Sequence, residues 1–218
     1  MNYPFRTAIL AFLRQEEDGG ELRETVMTIA ENYPPQVLHC NMNLLGSHDT
    51  ARILTALVDD FDGSRAEQAA RKLSPAQRQL AKERLVLASV LQYMLPGAPS
   101  LYYADEAGME GYKDPFNRRT YPWGREDTEL LGHFRQLGQL RMAESALRLG
   151  TVEFFQAGDG RIGFCRSYEQ EQIKIYVNRS EKPWEIPVGT VLLERNVQTA
   201  APQWLSVGPM GFCVVKEG

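Results

Sequence analysis

The sequence predicts an α/β region followed by an all-β region, and three observations carry that reading. Up to about residue 149, helical periodicities alternate with short apolar runs. Those runs lead into polar loops and then helices, which is the order of βα units on a parallel sheet. From residue 150 to 218, short stretches rich in Val, Ile, Phe and Tyr are separated by turn residues, as in an antiparallel sandwich or small barrel. Two units are therefore expected, 1–149 and 150–218.

Taken in order, Thr7 to Arg14 reads as a helix with Ile9, Leu10, Phe12 and Leu13 apolar. Glu21 to Glu31 is a second helix, with Leu22, Val26, Ile29 and Ala30 on one face. Pro34-Pro35 stops it, and Val37 to Asn43 reads as a buried strand. Thr50 to Val58 is expected to be helical. Ser74-Pro75 sets a capping residue before a first-turn proline, opening a long helix whose Leu80, Leu87, Val90, Leu91 and Met94 face a core. Pro96-Gly97 ends it, and Pro99 to Tyr103 reads as a second buried strand before a polar loop over 106–126. Thr128 to Leu147 is a further helix, with Leu131, Phe134, Leu137 and Met142 inward. Strands are then expected over 152–155, 161–165, 173–177, 184–188, 191–194 and 212–215, with Gly158-Asp159-Gly160 as a hairpin turn.

Composition narrows the functional classes. The chain has 218 residues, 24 Lys+Arg against 28 Asp+Glu, a net charge of −4 and 43% hydrophobic residues. That excludes a disordered or collagen-like chain, and the acidic balance argues against a nucleic-acid binder, which more often carries a basic face. No apolar run approaches the ~18 residues of a membrane helix, and the first twenty residues lack the features of a signal peptide. Three cysteines, Cys40, Cys165 and Cys213, suit reduced thiols in a cytoplasmic setting better than a disulfide framework. Cys165 and Cys213 are read as buried free thiols, and the sequon at Asn178 as a chance match.

The chemistry concentrates in two segments. NMNLLGSHDTARIL (41–54) ends a strand in a small-residue turn and releases His48 and Asp49 just before a helix. In parallel α/β architectures, ligands collect beyond the carboxyl ends of the strands. Asp49 has two readings of equal weight from this segment: a ligand-holding carboxylate, or the cap of the helix beginning at Thr50. The second segment, LPGAPSLYYADEAGM (95–109), has the same form and runs into KDPFNRRTYPW (113–123). Asp114, Arg118 and Arg119 with Tyr121 and Trp123 suit a sugar, since charged groups bind vicinal hydroxyls and rings stack on the apolar sugar face. A structural ion pair between a loop Asp and Arg is the competing reading.

GSHDTARIL followed by PGAPSLYYADEAGMEGYKDPFNRR resembles the α-amylase family of glycoside hydrolases, in its neopullulanase, cyclomaltodextrinase and maltogenic amylase branch. MNYPFR resembles the segment after the sixth barrel strand of that branch. The resemblance covers residues 1–150, and the β-rich tail takes the place of the family's C-terminal β-sandwich. It implies the C-terminal part of a (β/α)8 barrel, about strands 6–8 with their helices, followed by that sandwich. It implies that His48 binds hydroxyls of the sugar at the cleavage point. Asp49 becomes the transition-state-stabilising carboxylate, gripping the 2- and 3-hydroxyls. Asp114 and Arg118 match a loop closing the non-reducing side. Ala51 and Ala104 replace the family's usual Pro and Gly.

The family's nucleophile and acid/base carboxylates follow barrel strands four and five, and no segment here resembles either. A retaining glycosidase needs both, about 5–5.5 Å apart. Asp105-Glu106 is read as structural pairing, because adjacent side chains point apart. A complete barrel takes about 250 residues. The expectation is therefore a chain inactive alone, acting on α-glucan oligosaccharides within a larger enzyme, and either homo-oligomeric or dependent on an N-terminal portion. No cofactor, metal, nucleic-acid or membrane partner is expected. The alternative is a non-catalytic carbohydrate-binding or oligomerisation module, which would need Trp184 and Trp204 exposed rather than packed in the sandwich core.

Overall fold

The computed structural model describes residues 1–217. Helix α1 (Tyr3–Arg14) starts where the Asn2 side chain accepts from the Phe5 N–H at 3.3 Å, and stops where Gln15 turns left-handed at φ 66°. Helix α2 (Gly19–Asn32) opens with the Glu21 carboxylate accepting from the Asp18 N–H at 3.2 Å, and buries Leu22 and Val26. The strand expected over 37–43 is corrected to a short helix, α3 (Pro35–His39), and a three-residue strand, β1 (Met42–Leu44). Pro34-Pro35 follows the end of α2, as expected, and Pro35 also opens the next turn: the Pro34 carbonyl accepts from the N–H groups of Val37 and Leu38, at 2.9 and 3.0 Å, and Val37 faces outward.

The helix expected over 50–58 shrinks to α4 (Ile53–Ala56). Arg52 stays extended because its N–H donates to the Gly111 carbonyl at 2.9 Å, a contact with a distant loop. Helix α5 (Arg65–Ala70) was not expected, although Ser64 and Glu67 cap each other reciprocally at its start. Helix α6 (Pro75–Met94) matches its sequence signals, with Ser74 accepting from the Gln77 N–H at 3.2 Å; Leu80, however, lies outward. Strand β2 (Ala98–Ser100) is shorter than expected, because Tyr102 and Tyr103 leave it into a turn closed by the Asp105 N–H on the Tyr102 carbonyl. The last helix is two: α7 (Thr128–Ala143) and α8 (Ser145–Leu149), broken at extended Glu144, with Met142 exposed.

Strands β1 and β2 pair in parallel, from Met42 against Ala98 to Leu44 against Ser100. Buried Asn43 fastens them, donating to the Pro96 carbonyl at 2.8 Å and accepting from Asn2 at 2.9 Å. These strands with their helices are part of a (β/α)8 barrel, and the chain then changes to an antiparallel sheet.

That sheet has six strands: β3 (Thr151–Gly158), β4 (Arg161–Tyr168), β5 (Glu171–Asn178), β6 (Trp184–Pro187), β7 (Thr190–Ala201) and β8 (Trp204–Lys216). Asp159 and Gly160, at φ 55° and 69°, make the expected hairpin between β3 and β4. The short strands expected at 191–194 and 212–215 are pieces of one long hairpin, β7–β8. The second half of β8 lies between β5 and β7, whereas its first half lies between β6 and β7. The hairpin bends where Asn196 and Met210 take positive φ, so the sheet curls into a sandwich-like domain. All three cysteines are free, with Cys165 on β4 and Cys213 on β8 separated by β5.

The period-two alternation gives this sheet two faces. Ile162, Phe164, Ile173, Ile175, Val177, Phe212 and Val214 join one core with Phe5, Phe12, Leu91, Phe134 and Leu147 from the helices. On the other face, Tyr176, Ile186, Leu205, Val207, Cys213 and Val215 form a smaller core inside the curl. Among the described residues, no helix is long and apolar enough to cross a membrane.

Candidate functional site

Strand β1 delivers the chain into a tightly held turn. A Cβ on Gly46 would sit 2.1 Å from Asp105 Oδ2, so no larger residue fits without displacing that buried carboxylate. Arg6 Nε donates to the Leu45 carbonyl at 2.7 Å, and the Ser47 hydroxyl accepts from the Asp49 N–H at 3.2 Å. His48 and Asp49 then project outward, 55% and 62% exposed, with His48 Nε2 3.2 Å from Asp49 Oδ1. Asp49 caps no helix: α4 begins later, at Ile53, with Arg52 in the capping position.

Asp114 and Arg118 form an exposed ion pair, Oδ1 to Nε 2.7 Å, across a 3-10 turn at Phe116–Arg118. Asn117 ties this turn to the first loop. It is buried, and its amide donates to the carbonyls of His48 at 2.8 Å and Thr50 at 2.7 Å. The structure thus brings the segments of all four expected residues together. Asn117 carried no signal in the sequence, since nothing local distinguishes a tethering Asn from a solvated one.

Beneath both loops lies a buried pair, Asp105 with Arg52, of which only Arg52 went unassigned in the sequence. Arg52, fully buried, reaches Asp105 Oδ1 at 3.2 Å and donates to the Tyr103 carbonyl. Its guanidinium lies 4.3 and 4.4 Å from the ring centres of Tyr102 and Tyr103. Burial pushes the Asp105 carboxyl up to about 7, against the opposing charges of Arg52 and Arg6. Asp105 is therefore a structural partner, as the sequence reading of Asp105-Glu106 held, and Glu106 faces Tyr121 instead.

A cleft of about 380 Å³ opens beside Asp49, lined by Arg6, Arg14, Thr50, Asp59, Asp60 and Lys113 among others. Its carboxylates are held by cations: Asp59 by Arg71 at 2.8 Å, Asp60 by Arg14 at 2.9 Å, and Asp62 by Lys113 at 2.7 Å. Tyr112 also donates to Asp59, at 2.7 Å. The hydrogen bonds and charges of Arg71 and Arg14 hold Asp59 and Asp60 below the usual carboxylate range, which makes both poor general acids. In the β-rich part, Trp184 packs on Tyr176, with ring centres 5.3 Å apart, whereas Trp204 is 45% exposed.

No protein-family model matches the chain. It is similar to an amylopullulanase of Thermoanaerobacter thermohydrosulfuricus, 39% identical over 83% of this chain and 13% of that protein. A cyclomaltodextrinase of Geobacillus thermopakistaniensis is 33% identical over 97% of this chain and 35% of its own length. Among solved structures, the cyclic α-maltosyl-(1→6)-maltose hydrolase of Arthrobacter globiformis superposes with a TM-score of 0.77 at 27% identity. That match covers 99% of this chain and 43% of the other. A cyclomaltodextrinase gives 0.76 at 27% identity, over 98% and 36%. The chain thus spans well under half the length of these relatives. Sequence and fold together make it a member of the α-amylase family of glycoside hydrolases, matching a part of those longer proteins.

Proposed function

We propose that the two loops form the glucan-holding side of an active site for retaining hydrolysis of α-1,4 or α-1,6 glucosidic bonds. The observation that carries this reading is the Asn117 tether, which sets the Asp114–Arg118 turn beside His48 and Asp49 at the carboxyl end of β1. Asp49, exposed at the turn, would accept from the 2- and 3-hydroxyls of the sugar, while His48 donates to a neighbouring hydroxyl. Both bonds strengthen as the ring flattens toward an oxocarbenium ion, which lowers the barrier rather than merely tightening binding. Asp114 and Arg118 would close the non-reducing side with one acceptor and a fork of donors.

The nucleophile and acid/base carboxylates that complete double displacement are proposed to come from barrel segments outside this sequence. On that reading the 218-residue chain alone binds maltotriose and does not hydrolyse it. Calorimetric titration with maltotriose should show binding that weakens about tenfold in Asp49→Asn, the loss of a charged hydrogen-bond acceptor. Unchanged affinity in that variant would remove Asp49 from the site. Robust release of glucose or maltose from maltotriose or a cyclodextrin by the purified chain would overturn the claim of inactivity.

A further inference from the structure

We propose that Trp123 and Tyr121 form a second glucan-binding platform, separate from the His48–Asp49 loop; the proposal rests on the reading of this protein as glucan-binding. Trp123 is 79% exposed, the most exposed large apolar side chain among the described residues. A lone surface ring of this kind carries no meaning by itself. Three further features separate this one.

The ring is fixed. Its centre lies 4.5 Å from that of Tyr121 with the planes inclined at 47°, so Tyr121 supports one side and leaves most of the indole open. The backbone beneath is a closed turn: the Trp123 N–H donates to the Tyr121 carbonyl and the Arg125 N–H to the Pro122 carbonyl, both at 2.9 Å. Gly124 completes the turn at φ 72° with no atom near enough to meet a Cβ, so nothing crowds the ring from that side.

Exposed polar groups share its loop. Arg119 and Arg125 are exposed and, among the described residues, make no ion pair. Both line a cleft of about 300 Å³ together with Thr120 and with Pro122, the residue between the two rings; the Glu110 carboxylate in that cleft is already paired with Arg78. The Tyr103 hydroxyl donates to the Arg119 carbonyl at 2.8 Å, anchoring this stretch to the end of β2. A pyranose has one apolar face for an indole and a rim of vicinal hydroxyls for guanidinium groups, and this loop carries both the ring and two unpaired guanidinium groups. A protein partner would need a wider apolar patch, and the neighbours here, Arg119, Thr120, Gly124 and Arg125, are exposed without being apolar. The platform also lies on the loop that bears Asp114 and Arg118, a few residues further along. A long glucan held at the first site is the ligand expected to extend onto it.

Tryptophan emission during titration with maltoheptaose tests this, because only Trp123, Trp184 and Trp204 contribute. The wild-type chain should show a saturable change. Trp123→Phe should lose most of that change and weaken binding about tenfold, with its thermal midpoint unaltered because the ring is exposed. Asp49→Asn should keep the Trp123 signal, though with weaker overall affinity. The proposal is overturned if wild type shows no change, if Trp123→Phe keeps both signal and affinity, or if Asp49→Asn abolishes the signal. Failure of the first-site reading looks different: Asp49→Asn then binds maltotriose and maltoheptaose like wild type, while Trp123→Phe still loses maltoheptaose.

Discussion

Two buried polar side chains decide how the exposed ones are presented. Asn117 satisfies two carbonyls of the His48–Asp49 turn that no backbone group reaches. Removing its amide leaves both unpaired in a partly buried setting. Asn117→Ala should therefore destabilise the chain by about 2–3 kcal/mol, read from urea unfolding. It should also weaken maltotriose binding, and this second effect should disappear in an Asp49→Asn background, because Asn117 acts through that turn. Additive losses in the double-mutant cycle would make Asn117 a packing residue only. Asp105 sets a pH dependence. Its carboxyl is raised to about 7 by burial, against about 3.9 in an unfolded chain. The native state thus holds this proton more tightly than the unfolded state. The corresponding stability is full below the unfolded value and is lost as pH rises through 7. Urea unfolding at pH 5 and pH 8 should show wild type losing more stability across that interval than Asp105→Asn. Equal losses would mean that Arg52 holds Asp105 ionised throughout.

At the scale of elements, the junction of α6, α7 and β8 has the opposite pH behaviour. His133 on α7 bonds the Ser89 hydroxyl of α6 at 2.9 Å, and its ring lies 5.8 Å from that of Phe212 on β8. Burial pushes this imidazole down to about 4, below the ordinary value near 6.5. Its contribution is present above pH 6.5 and is lost as pH falls toward 4, because the unfolded chain takes up the proton first. His133→Gln, which keeps a partner for Ser89, should lose less stability than wild type between pH 7 and pH 4.5. The elements also show what local sequence conveys. Helix α6 was legible because Ser74, Pro75 and an apolar stripe lie within one continuous segment. The short α4 was not, since its late start depends on Gly111 capturing the Arg52 N–H from outside any local window. Likewise, His48, Asp49, Asp114 and Arg118 were legible as motifs. Asn117 and Arg52 were not, because their partners lie 67 and 53 residues away in the chain. The exposed Val37 and Met142 misled for the converse reason: apolar side chains on the outside break no local rule.

The whole molecule changes architecture at Gly150, yet its main core does not stop there. Leu91 and Leu147 from the helices and Ile162, Phe164 and Phe212 from the sheet are buried in one cluster. Arg166 crosses the same boundary. Fully buried on β4, it donates to the carbonyls of Thr151 at 3.0 Å, Gly150 at 2.8 Å, and Met94 at the end of α6. With no carboxylate beside it among the described residues, burial lowers this guanidinium to about 9, and the three carbonyls supply its stabilisation. Residues 1–149 and 150–218, distinct in their secondary structure, are accordingly proposed to unfold together. If they were independent, each would bury its own apolar surface and melt separately. Calorimetry of the intact chain should give one transition whose calorimetric and van't Hoff enthalpies agree, and residues 1–149 expressed alone should not fold. Arg166→Leu leaves three carbonyls unpaired and should cost about 3–5 kcal/mol, lowering the midpoint of that single transition. Two resolved transitions in the wild-type chain, or a folded 1–149, would show instead that the sheet merely rests on the helices.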